Sequence, residues 1–562
     1  MVWRYKLLLV FFVSAFVLIL GRLFYWQVVR AQELVQIGDS QYGKFVKEIP
    51  IRGEIKKTSD GFPIATNKIN YLIVANPKEI VTDDIEKISR LLSPLISIDE
   101  ATISASLSLD KFWVPIKYNI TNEEKEKIEK LNLVGINFED QINRFYPEAS
   151  LAAKLVGFVG KDENGNNKGY FGIEGYYDRQ LSGKVGLAKK IKDAHGRPIL
   201  AKVDKNSAKI DGRNLILHID RFAQYVLDDS LKRGIVKYGA QAASGIIMDP
   251  KSGGILAMSG YPSFNPGNYN EFSNDLYLNP MISSAYEPGS TFKPLIMAAA
   301  IDSKLVTVDT PCTICDKPIE LGGFTIKTWN DTYQPNITMA NVIRDSDNTG
   351  MVFVSKQLGL EKMHSYLKAY GIGDVTGIDL QGEMAPTIRP VDSWYPIDLA
   401  TASFGQGISV TPIELISAFS SLANDGARMV PQVVDKVETP DNEVIDIAPV
   451  VADKPISART ASIMREMLVN AVKSGEAKWA APKGYRVAGK TGTAQIPIEG
   501  HYDTNKTIAS FIGFAPADDP KFLMLIVYDR PSTSIYGAET AAPTFFEVAK
   551  KLLAYYKIPP TE

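Results

Sequence analysis

The sequence predicts an α+β fold, an antiparallel sheet flanked by helices, which follows a region of mixed α/β structure and one transmembrane helix. An almost uninterrupted apolar run at residues 7–20 predicts the membrane helix. Short β-like runs mixed with polar helices extend to about Asp211. From Asn214 a strand-like run, a predicted hairpin, helical patterns and further strands follow. This order is typical of a sheet covered by helices. The predicted segments are therefore 1–29, 30–211 and 212–562.

Composition limits the function classes. The chain has 562 residues and 45% hydrophobic content, which suits two or three packed domains. A net charge of −2 and no long basic tract give no reason to expect a nucleic-acid partner. The four histidines, His195, His218, His364 and His501, show no HExxH spacing, which argues against a histidine-rich metal site or a histidine-based triad. A nucleophile here needs another base.

The amino-terminal apolar segment predicts a retained membrane anchor. Arg4 and Lys6 precede the apolar run, and apolar character resumes beyond it without a small-residue cleavage site. We expect Tyr25 and Trp26 at the outer interface, the amino terminus in the cytoplasm and the bulk of the chain outside. A cleaved signal peptide is the alternative, since the first 14 apolar residues alone suit one.

Local patterns predict several elements after residue 214. The runs 244–249 and 255–258 flank a Pro- and Gly-containing turn and predict a β-hairpin. Helices are predicted around 224–232 and 543–556, and strands at 511–514 and 521–528.

Cys312 and Cys315 are the only cysteines and form a CxxC in a Pro-flanked loop. Such a pair can be a redox couple, half of a zinc site or a short-loop disulfide. Because no second CxxC completes a metal site and the region is predicted to be exported, a disulfide is favoured. Zinc binding and free thiols are the alternatives.

Three short motifs are weak singly and informative in order. Ser-x-x-Lys occurs three times, Ser-x-Asn twice and Lys-Thr-Gly once. They lie at Ser108/Lys111, Ser290/Lys293, Ser365/Lys368, Ser263/Asn265, Ser346/Asn348 and 490–492. Ser290, Ser346 and Lys490 follow one another at intervals of 56 (346 − 290) and 144 (490 − 346) residues within one predicted domain. This order predicts that the three motifs form one site.

Ser290 is the candidate nucleophile and Lys293 its base. A Pro-Gly pair sets a turn that starts a helix, with Ser290 in the first helical turn. Positions i and i+3 share a helix face, so the Lys293 amine can reach the Ser290 hydroxyl. A buried amine near other cations loses proton affinity and can act as a base. Ser346 and Asn348 supply a hydroxyl to relay a proton and a carboxamide to hold an amide substrate.

Lys490, Thr491 and Thr493 lie on a predicted strand, and Gly492 between them allows a substrate backbone to approach closely. An edge strand there can pair with a peptide, while Lys490 and the threonines hold its terminal carboxylate.

With these motifs the chain resembles the class B penicillin-binding proteins, particularly the division-type transpeptidases, over nearly its whole length. The ordered triplet is the signature of penicillin-binding proteins and class A β-lactamases. Longer matches lie at 287–294, 403–412, 536–538, 541–543, 52–55 and 172–178. The resemblance implies a penicillin-binding transpeptidase fold preceded by an elongated pedestal, or dimerisation, domain.

The resemblance also implies a mechanism without a metal or organic cofactor. Ser290 is acylated by a D-alanyl-D-alanine stem peptide, the last D-alanine leaves, and the amine of another stem resolves the acyl-enzyme into a crosslink. β-Lactams acylate the same serine. The implied roles are base for Lys293, relay and substrate contact for Ser346 and Asn348, substrate binding for Lys490, Thr491, Gly492 and Thr493, and oxyanion hole for the N–H groups of Ser290 and Thr493.

The chain differs from the family pattern at one motif, and the resemblance also implies partner proteins. Residues 56–61 replace the Asp-Arg-Asn-Gly common among relatives, which leaves local contacts of the pedestal open. The short tail before the anchor has no room for a glycosyltransferase domain. We therefore expect a polytopic SEDS-type glycosyltransferase as partner, together with divisome membrane proteins, in contact with the anchor and pedestal.

Other activities use similar motifs. A D,D-carboxypeptidase or β-lactamase would use the same triad with water as acceptor, but the large pedestal, the anchor and the lack of an assigned carboxylate argue against it. A β-lactam sensor would carry HExxH, and an idle scaffold would lack one of the motifs. The similarity at 287–294 favours septal over elongation-type synthesis.

Overall fold

The computed structural model describes residues 2–34, 43–57, 61–148, 150–192, 198–199, 208–498 and 501–561. The chain divides into two compact units. One contains residues 1–51 and 182–212, and the other contains residues 52–181 and 213–562. The predicted domain boundaries at 29 and 211 stay predictions.

The first unit contains the apolar helix and a small sheet. Helix Val2–Phe24 continues as a π-helical turn, Tyr25–Val29. Together they form the only helix of the described residues that is long and apolar enough to cross a membrane, which is compatible with a single-pass anchor. The sheet is antiparallel and contains the strands Gly43–Glu48, Gly186–Lys192 and Pro198–Ile199.

The amino-terminal part of the second unit is built on a seven-stranded sheet. Its pairs are antiparallel except that Ile55–Lys57 runs parallel to Asn214–Leu217. The other strands are Pro63–Ala75, Val114–Ile120, Ile136–Phe145, Val434–Glu438 and Val444–Asp446. Buried isoleucine and leucine side chains pack helices against this sheet, namely Ile85–Ile96, Glu100–Leu107 and Asn122–Glu129. The sheet thus takes strands from both sides of residue 211.

Two sequence motifs of this part meet in a buried ionic cluster. The Arg52 guanidinium lies 2.6 Å from Glu174 and 2.8 Å from Asp178, and Arg144 lies 2.6 Å from the other oxygen of Glu174. Glu174 is fully buried. Burial alone would raise the pKa of its carboxyl, but the charges and hydrogen bonds of Arg144 and Arg52 hold that pKa below its ordinary value.

A five-stranded antiparallel sheet, here called the central sheet, organises the rest of the second unit. In spatial order its strands are Ile255–Tyr261, Ala242–Met248, Phe522–Asp529, His501–Ala515 and Ala488–Ile498. The predicted hairpin and the two predicted strands are confirmed. Helices Arg221–Tyr238 and Ala541–Tyr555, also predicted, cover one face. Ala488–Ile498 is left at a sheet edge.

The other face of the central sheet carries a helical layer. Alternate residues of one strand serve the two layers, with Leu525 facing the helical layer and Ile526 the opposite one. The layer contains Pro280–Ser283, Lys293–Asp302, Met339–Arg344, Asn348–Leu358, Leu360–Ala369, Pro396–Ala402, Pro412–Ala423 and Ala458–Ser474. Helix Lys293–Asp302 is apolar on nearly all sides and buried from its first residue to Ile301, as expected of a helix in the interior. Its burial fixes the position of the residues that precede it.

Shorter elements complete the second unit. They include the helical turns Ala153–Val156, Gly172–Tyr176 and Asp178–Leu181, and the hairpins Phe158–Lys161/Asn167–Tyr170, Ile319–Leu321/Phe324–Ile326 and Arg428–Met429/Val451–Asp453.

Candidate active site

Ser290 lies in a 3-10 turn, Gly289–Thr291, directly before helix Lys293–Asp302. The sequence predicts Ser290 in the first turn of a helix, and the structure places it in a 3-10 turn that leads through Phe292 into the α-helix. The α-helix begins at Lys293 because Pro294, which lacks an N–H, takes a first-turn position where none is needed. Ser290 stays partly exposed, whereas Lys293 is fully buried.

Glycines hold the Ser290 turn against a neighbouring loop. Gly289 has a φ of +55° and donates its N–H to the carbonyl of Gly405 at 3.0 Å. A Cβ on Gly405 would lie 2.2 Å from the carbonyl oxygen of Gly289. Side chains at these positions would therefore displace the turn that carries the serine.

The Lys293 amine contacts both functional groups of the Ser-x-Asn motif. Its Nζ donates to the carbonyl oxygen of Ser346 at 2.6 Å and to Asn348 Oδ1 at 2.8 Å, and it lies 3.2 Å from Ser346 Oγ. Ser346 has a φ of +57°, a conformation that residues other than glycine rarely adopt. Asn348 Nδ2 donates to the carbonyl of Lys327 at 2.8 Å, which fixes the amide with its oxygen toward the amine.

Burial and a second lysine set the charge of Lys293. Burial, together with the positive charge of Lys490, lowers the pKa of Lys293 to about 7, although Asp347 and Glu476 act in the opposite direction. A neutral amine has two N–H groups and one lone pair. The Ser346 carbonyl and Asn348 Oδ1 can only accept, so they take the two N–H groups and leave the lone pair for a hydroxyl.

The hydroxyl of Ser290 is available for that lone pair. Among the described residues the Ser290 hydroxyl has no hydrogen-bond partner, whereas the Ser346 hydroxyl lies at the amine. The structure therefore brings Lys293, Ser346 and Asn348 into contact and leaves Ser290 free at the start of the same helix. Catalytic hydrogen bonds often tighten only when substrate binds.

Lys490 is buried on the edge strand Ala488–Ile498. Its Nζ donates to Thr491 Oγ1 at 3.1 Å and to the Thr491 carbonyl at 3.3 Å. Burial lowers the pKa of Lys490, and the negative charges of Glu476 and Asp345 oppose that shift. Thr491 Oγ1 in turn donates to Glu476 Oε2 at 2.8 Å. The hydroxyl predicted to bind substrate thus already has a partner within the chain.

Gly492 and Thr493 place the edge strand beside the Ser290 turn. A Cβ on Gly492 would lie 2.4 Å from Ser510 Oγ and 2.8 Å from Thr291 Cγ2. Glycine is therefore needed for packing between strand and turn, in addition to the predicted approach of substrate. The carbonyl oxygen of Thr493 lies 3.2 Å from where a Cβ on Gly289 would be. The two segments predicted to form the oxyanion hole are neighbours.

Known proteins match the whole chain. A family model for the penicillin binding protein transpeptidase domain matches residues 243–553, and one for the penicillin-binding protein dimerisation domain matches residues 47–217. Stage V sporulation protein D of Bacillus subtilis is 33% identical over 565 aligned positions, which cover 99% of this chain and 86% of that protein. The chain belongs to the class B penicillin-binding proteins.

Further relatives and solved structures agree with this assignment. Peptidoglycan D,D-transpeptidase FtsI of Escherichia coli K12 is 29% identical, with 99% of this chain and 92% of that protein covered. Penicillin binding protein 2X from Streptococcus thermophilus has the same fold, with a TM-score of 0.77 at 24% identity, covering 92% of this chain and 80% of that one. A peptidoglycan synthetase from Bifidobacterium adolescentis has a TM-score of 0.73 at 26% identity, covering 92% of this chain and 98% of that one. The predicted penicillin-binding transpeptidase fold, with a dimerisation domain before it, is confirmed.

Sequence patterns missed an aromatic pair at the site of this penicillin-binding protein. Trp329 Nε1 donates to the carbonyl of Asp345 at 3.2 Å, and its ring centroid lies 6.1 Å from that of Tyr536. Both rings are partly exposed, so they form an apolar wall beside the Ser346 segment. Tyr536 belongs to the matched run 536–538, but that match gave it no role. No spacing linked it to Trp329.

Glu476 was also missed, because it carries no motif of its own and reaches the site only through its contact with Thr491.

The remaining candidates lie outside the site. Cys312 and Cys315 are joined in a buried disulfide with Cα atoms 5.7 Å apart, on the segment between helices Lys293–Asp302 and Met339–Arg344. Ser365 and Lys368, a second Ser-x-x-Lys pair, are exposed on helix Leu360–Ala369. Among the residues that the structure describes, no group of three or more His, Cys, Asp or Glu side chains is placed to hold a metal ion.

Proposed function

We propose that this protein is a serine-type peptidoglycan D,D-transpeptidase with Ser290 as its nucleophile. The observation that carries the proposal is the buried Lys293 amine, whose pKa is lowered to about 7 and which contacts Ser346 and Asn348 three residues from Ser290. FtsI of E. coli and the 30% identical PbpC of Pseudomonas aeruginosa are named a peptidoglycan D,D-transpeptidase and a probable one.

In the first half-reaction Ser290 Oγ attacks the carbonyl carbon of the penultimate D-alanine of a stem peptide, and its proton passes to Lys293. The backbone N–H groups of Ser290 and Thr493 stabilise the oxyanion that forms. As the C–N bond breaks, the leaving amine takes the proton through the Ser346 hydroxyl. The products are an ester on Ser290 and free D-alanine.

The edge strand positions the substrate. A peptide in extended conformation can add to the free edge of Ala488–Ile498. Its terminal carboxylate then meets the ammonium of Lys490 and the hydroxyl of Thr493, which supply charge-assisted hydrogen bonds. Thr491, whose hydroxyl hydrogen goes to Glu476, supports this contact by accepting from the Lys490 ammonium. Asn348 Oδ1 accepts from Lys293, and Nδ2 donates one of its two hydrogens to the carbonyl of Lys327. The second hydrogen of Nδ2 can donate to the substrate.

In the second half-reaction the amine of another stem attacks the ester carbonyl. Lys293 and Ser346 take its proton and return one to Ser290 Oγ as the C–O bond breaks, which leaves an amide crosslink. β-Lactams acylate the same serine in this proposal. Support comes from penicillin binding protein 3 of Mycobacterium tuberculosis, solved with aztreonam and with ampicillin, which has 25% identity and a TM-score of 0.71.

We place the protein at the cell membrane, with helix Val2–Val29 as anchor, the amino terminus in the cytoplasm and the catalytic region outside. The apolar helix and the basic residues Arg4 and Lys6 support this topology. A SEDS-type glycosyltransferase and divisome membrane proteins are the proposed partners, and septal synthesis is the proposed role, on the strength of the division-type motifs. Imaging a fluorescent fusion tests the role, and a signal along the side walls instead of the septum would refute it.

Labelling with a fluorescent penicillin tests the nucleophile. Wild-type protein and Ser290→Ala are compared, with Ser365→Ala as the matched control because Ser365 has the same spacing to a lysine on an exposed helix. We expect a covalent adduct on wild type and on Ser365→Ala and none on Ser290→Ala. An adduct of normal intensity on Ser290→Ala would refute the assignment.

The acceptor is tested with polymerised lipid-linked glycan. A transpeptidase gives crosslinked dimers of stem peptides together with released D-alanine. Release of D-alanine without dimers would identify a carboxypeptidase.

A further inference from the structure

Glu476 is linked to the active site by two hydrogen bonds in series. It follows the helix Ala458–Ser474, and its Oε2 accepts from Thr491 Oγ1 at 2.8 Å, which accepts from Lys490 Nζ at 3.1 Å. A threonine hydroxyl has a single hydrogen, and here that hydrogen is directed to the carboxylate. Thr491 can therefore only accept from Lys490, and an ammonium is a stronger donor than a neutral amine. The chain of contacts favours the charged form of Lys490.

Lys490 and Thr491 are buried, whereas Glu476 is half-buried. Arg344, Glu476, Lys490 and Thr491 line a cavity of about 10 Å³, which holds at most one water molecule. Such a site screens charges weakly compared with bulk water. The Arg344 guanidinium donates two hydrogen bonds to the Asp345 carboxylate, at 2.6 and 2.7 Å.

Several charged groups face the two lysines from neighbouring elements. Lys490 faces Glu476 and Asp345. Lys293 faces Lys490 itself, together with Asp347 and Glu476.

The reaction requires different charge states of these two lysines. Lys293 must be neutral to accept a proton, whereas Lys490 must be cationic to hold a carboxylate. Both are buried, and burial alone favours the neutral form of each. We propose that Glu476 is a positioning residue that keeps Lys490 protonated while Lys293 is neutral. Glu476 reaches Lys490 through Thr491, and the cation kept there in turn favours the neutral form of Lys293. This inference rests on the proposed function.

The test is the pH profile of acylation in Glu476→Gln. Full-length protein in detergent is mixed with fluorescent penicillin, whose carboxylate stands for that of the substrate, and the second-order rate constant is measured from pH 5.5 to 10. The two bonds in series place Glu476 Oε2 within about 6 Å of Lys490 Nζ. The rate is expected to fall at alkaline pH where Lys490 loses its proton, and this fall is the alkaline limb of the profile. At an effective dielectric constant of about 20, loss of the Glu476 charge moves the alkaline limb to lower pH by about one to two units.

Glu466→Gln is the matched control. Glu466 lies on the preceding helix and pairs at the surface with Arg486 at 2.6 Å, so its removal deletes the same charge and is expected to leave the profile unchanged. Glu476→Asp keeps the charge and should retain the wild-type alkaline limb. If Glu476→Gln fails to fold, Thr491→Val breaks the same link and should shift the limb in the same direction.

The outcomes separate this inference from the proposed function. A uniform fall in rate with an unshifted alkaline limb would mean that Glu476 has only a structural role, and would overturn the inference. Wild-type protein that forms no adduct at any pH would refute the proposed function instead.

Discussion

The pH dependence of Ser290 acylation follows from the buried base. Lys293 must be neutral to accept the serine proton, and its pKa is lowered from 10.5 to about 7. About half of the molecules then carry a neutral Lys293 at pH 7, about 9% at pH 6 and about 1% at pH 5. An unperturbed lysine would be neutral in only about 0.03% of molecules at pH 7. We therefore expect the rate to fall about tenfold per pH unit below 7, to about one hundredth of its plateau at pH 5.

The measurement is the second-order rate constant for fluorescent-penicillin labelling across pH 5 to 9, with tryptophan fluorescence recorded in parallel to show that the protein stays folded. Asp347→Asn sharpens the assignment. Asp347 accepts from the Gly350 N–H at 2.9 Å as a helix cap, and asparagine caps equally well. Because the Asp347 charge raises the pKa of Lys293, its removal should move the acidic limb to lower pH. A rate that stays constant from pH 5.5 to 7.5, or a midpoint above pH 9, would refute the assignment of Lys293 as base.

Two further predictions concern packing and stability. Gly492→Ala should slow acylation at least tenfold, since a Cβ would lie 2.8 Å from Thr291 Cγ2 and separate the edge strand from the serine turn. The same labelling assay measures this rate, and a wild-type rate in the variant would contradict the packing role. Arg52→Ala should lower the free energy of unfolding by about 3–5 kcal/mol, because it leaves the buried Glu174 with Arg144 as its remaining cation. Urea denaturation measures this loss, and a change below about 1 kcal/mol would show that the cluster is not stabilising.

Much of the fold could be predicted because its signals are local. The turn after Asp249 and the runs at 511–514 and 521–528 identify strands from the few residues around them. The order of strands in the central sheet could not be predicted in this way. The edge strand Ala488–Ile498 packs beside Gly289, about 200 residues earlier in the chain. That contact depends on long-range packing, which no local pattern reports.

The sequence indicated the candidate residues of the site better than it indicated the contacts between them. Ser290 and Lys293 are three residues apart at the start of one helix, so spacing predicts that they share a helix face. Lys293 contacts both oxygens of Ser346, whose backbone has a φ of +57°. Residues other than glycine rarely adopt this conformation, so the sequence did not indicate it. Glu476 was not predictable, since its role depends on which hydroxyl it meets in space.

Spacing alone does not make Lys293 a base. Ser365 and Lys368 have the same spacing on a regular helix, but both side chains are exposed to water and neither is enclosed by other polar groups of a site. Lys293 differs in being fully buried among a carbonyl, an amide oxygen and a hydroxyl, all of them neutral groups that a neutral amine can satisfy. Lys490 is equally buried, but its hydrogen-bonded chain ends on a carboxylate. Both lysines donate to neutral acceptors, and the difference between them lies in the negative charge of Glu476, one hydrogen bond beyond the acceptor of Lys490. That difference predicts which lysine gives up its proton first.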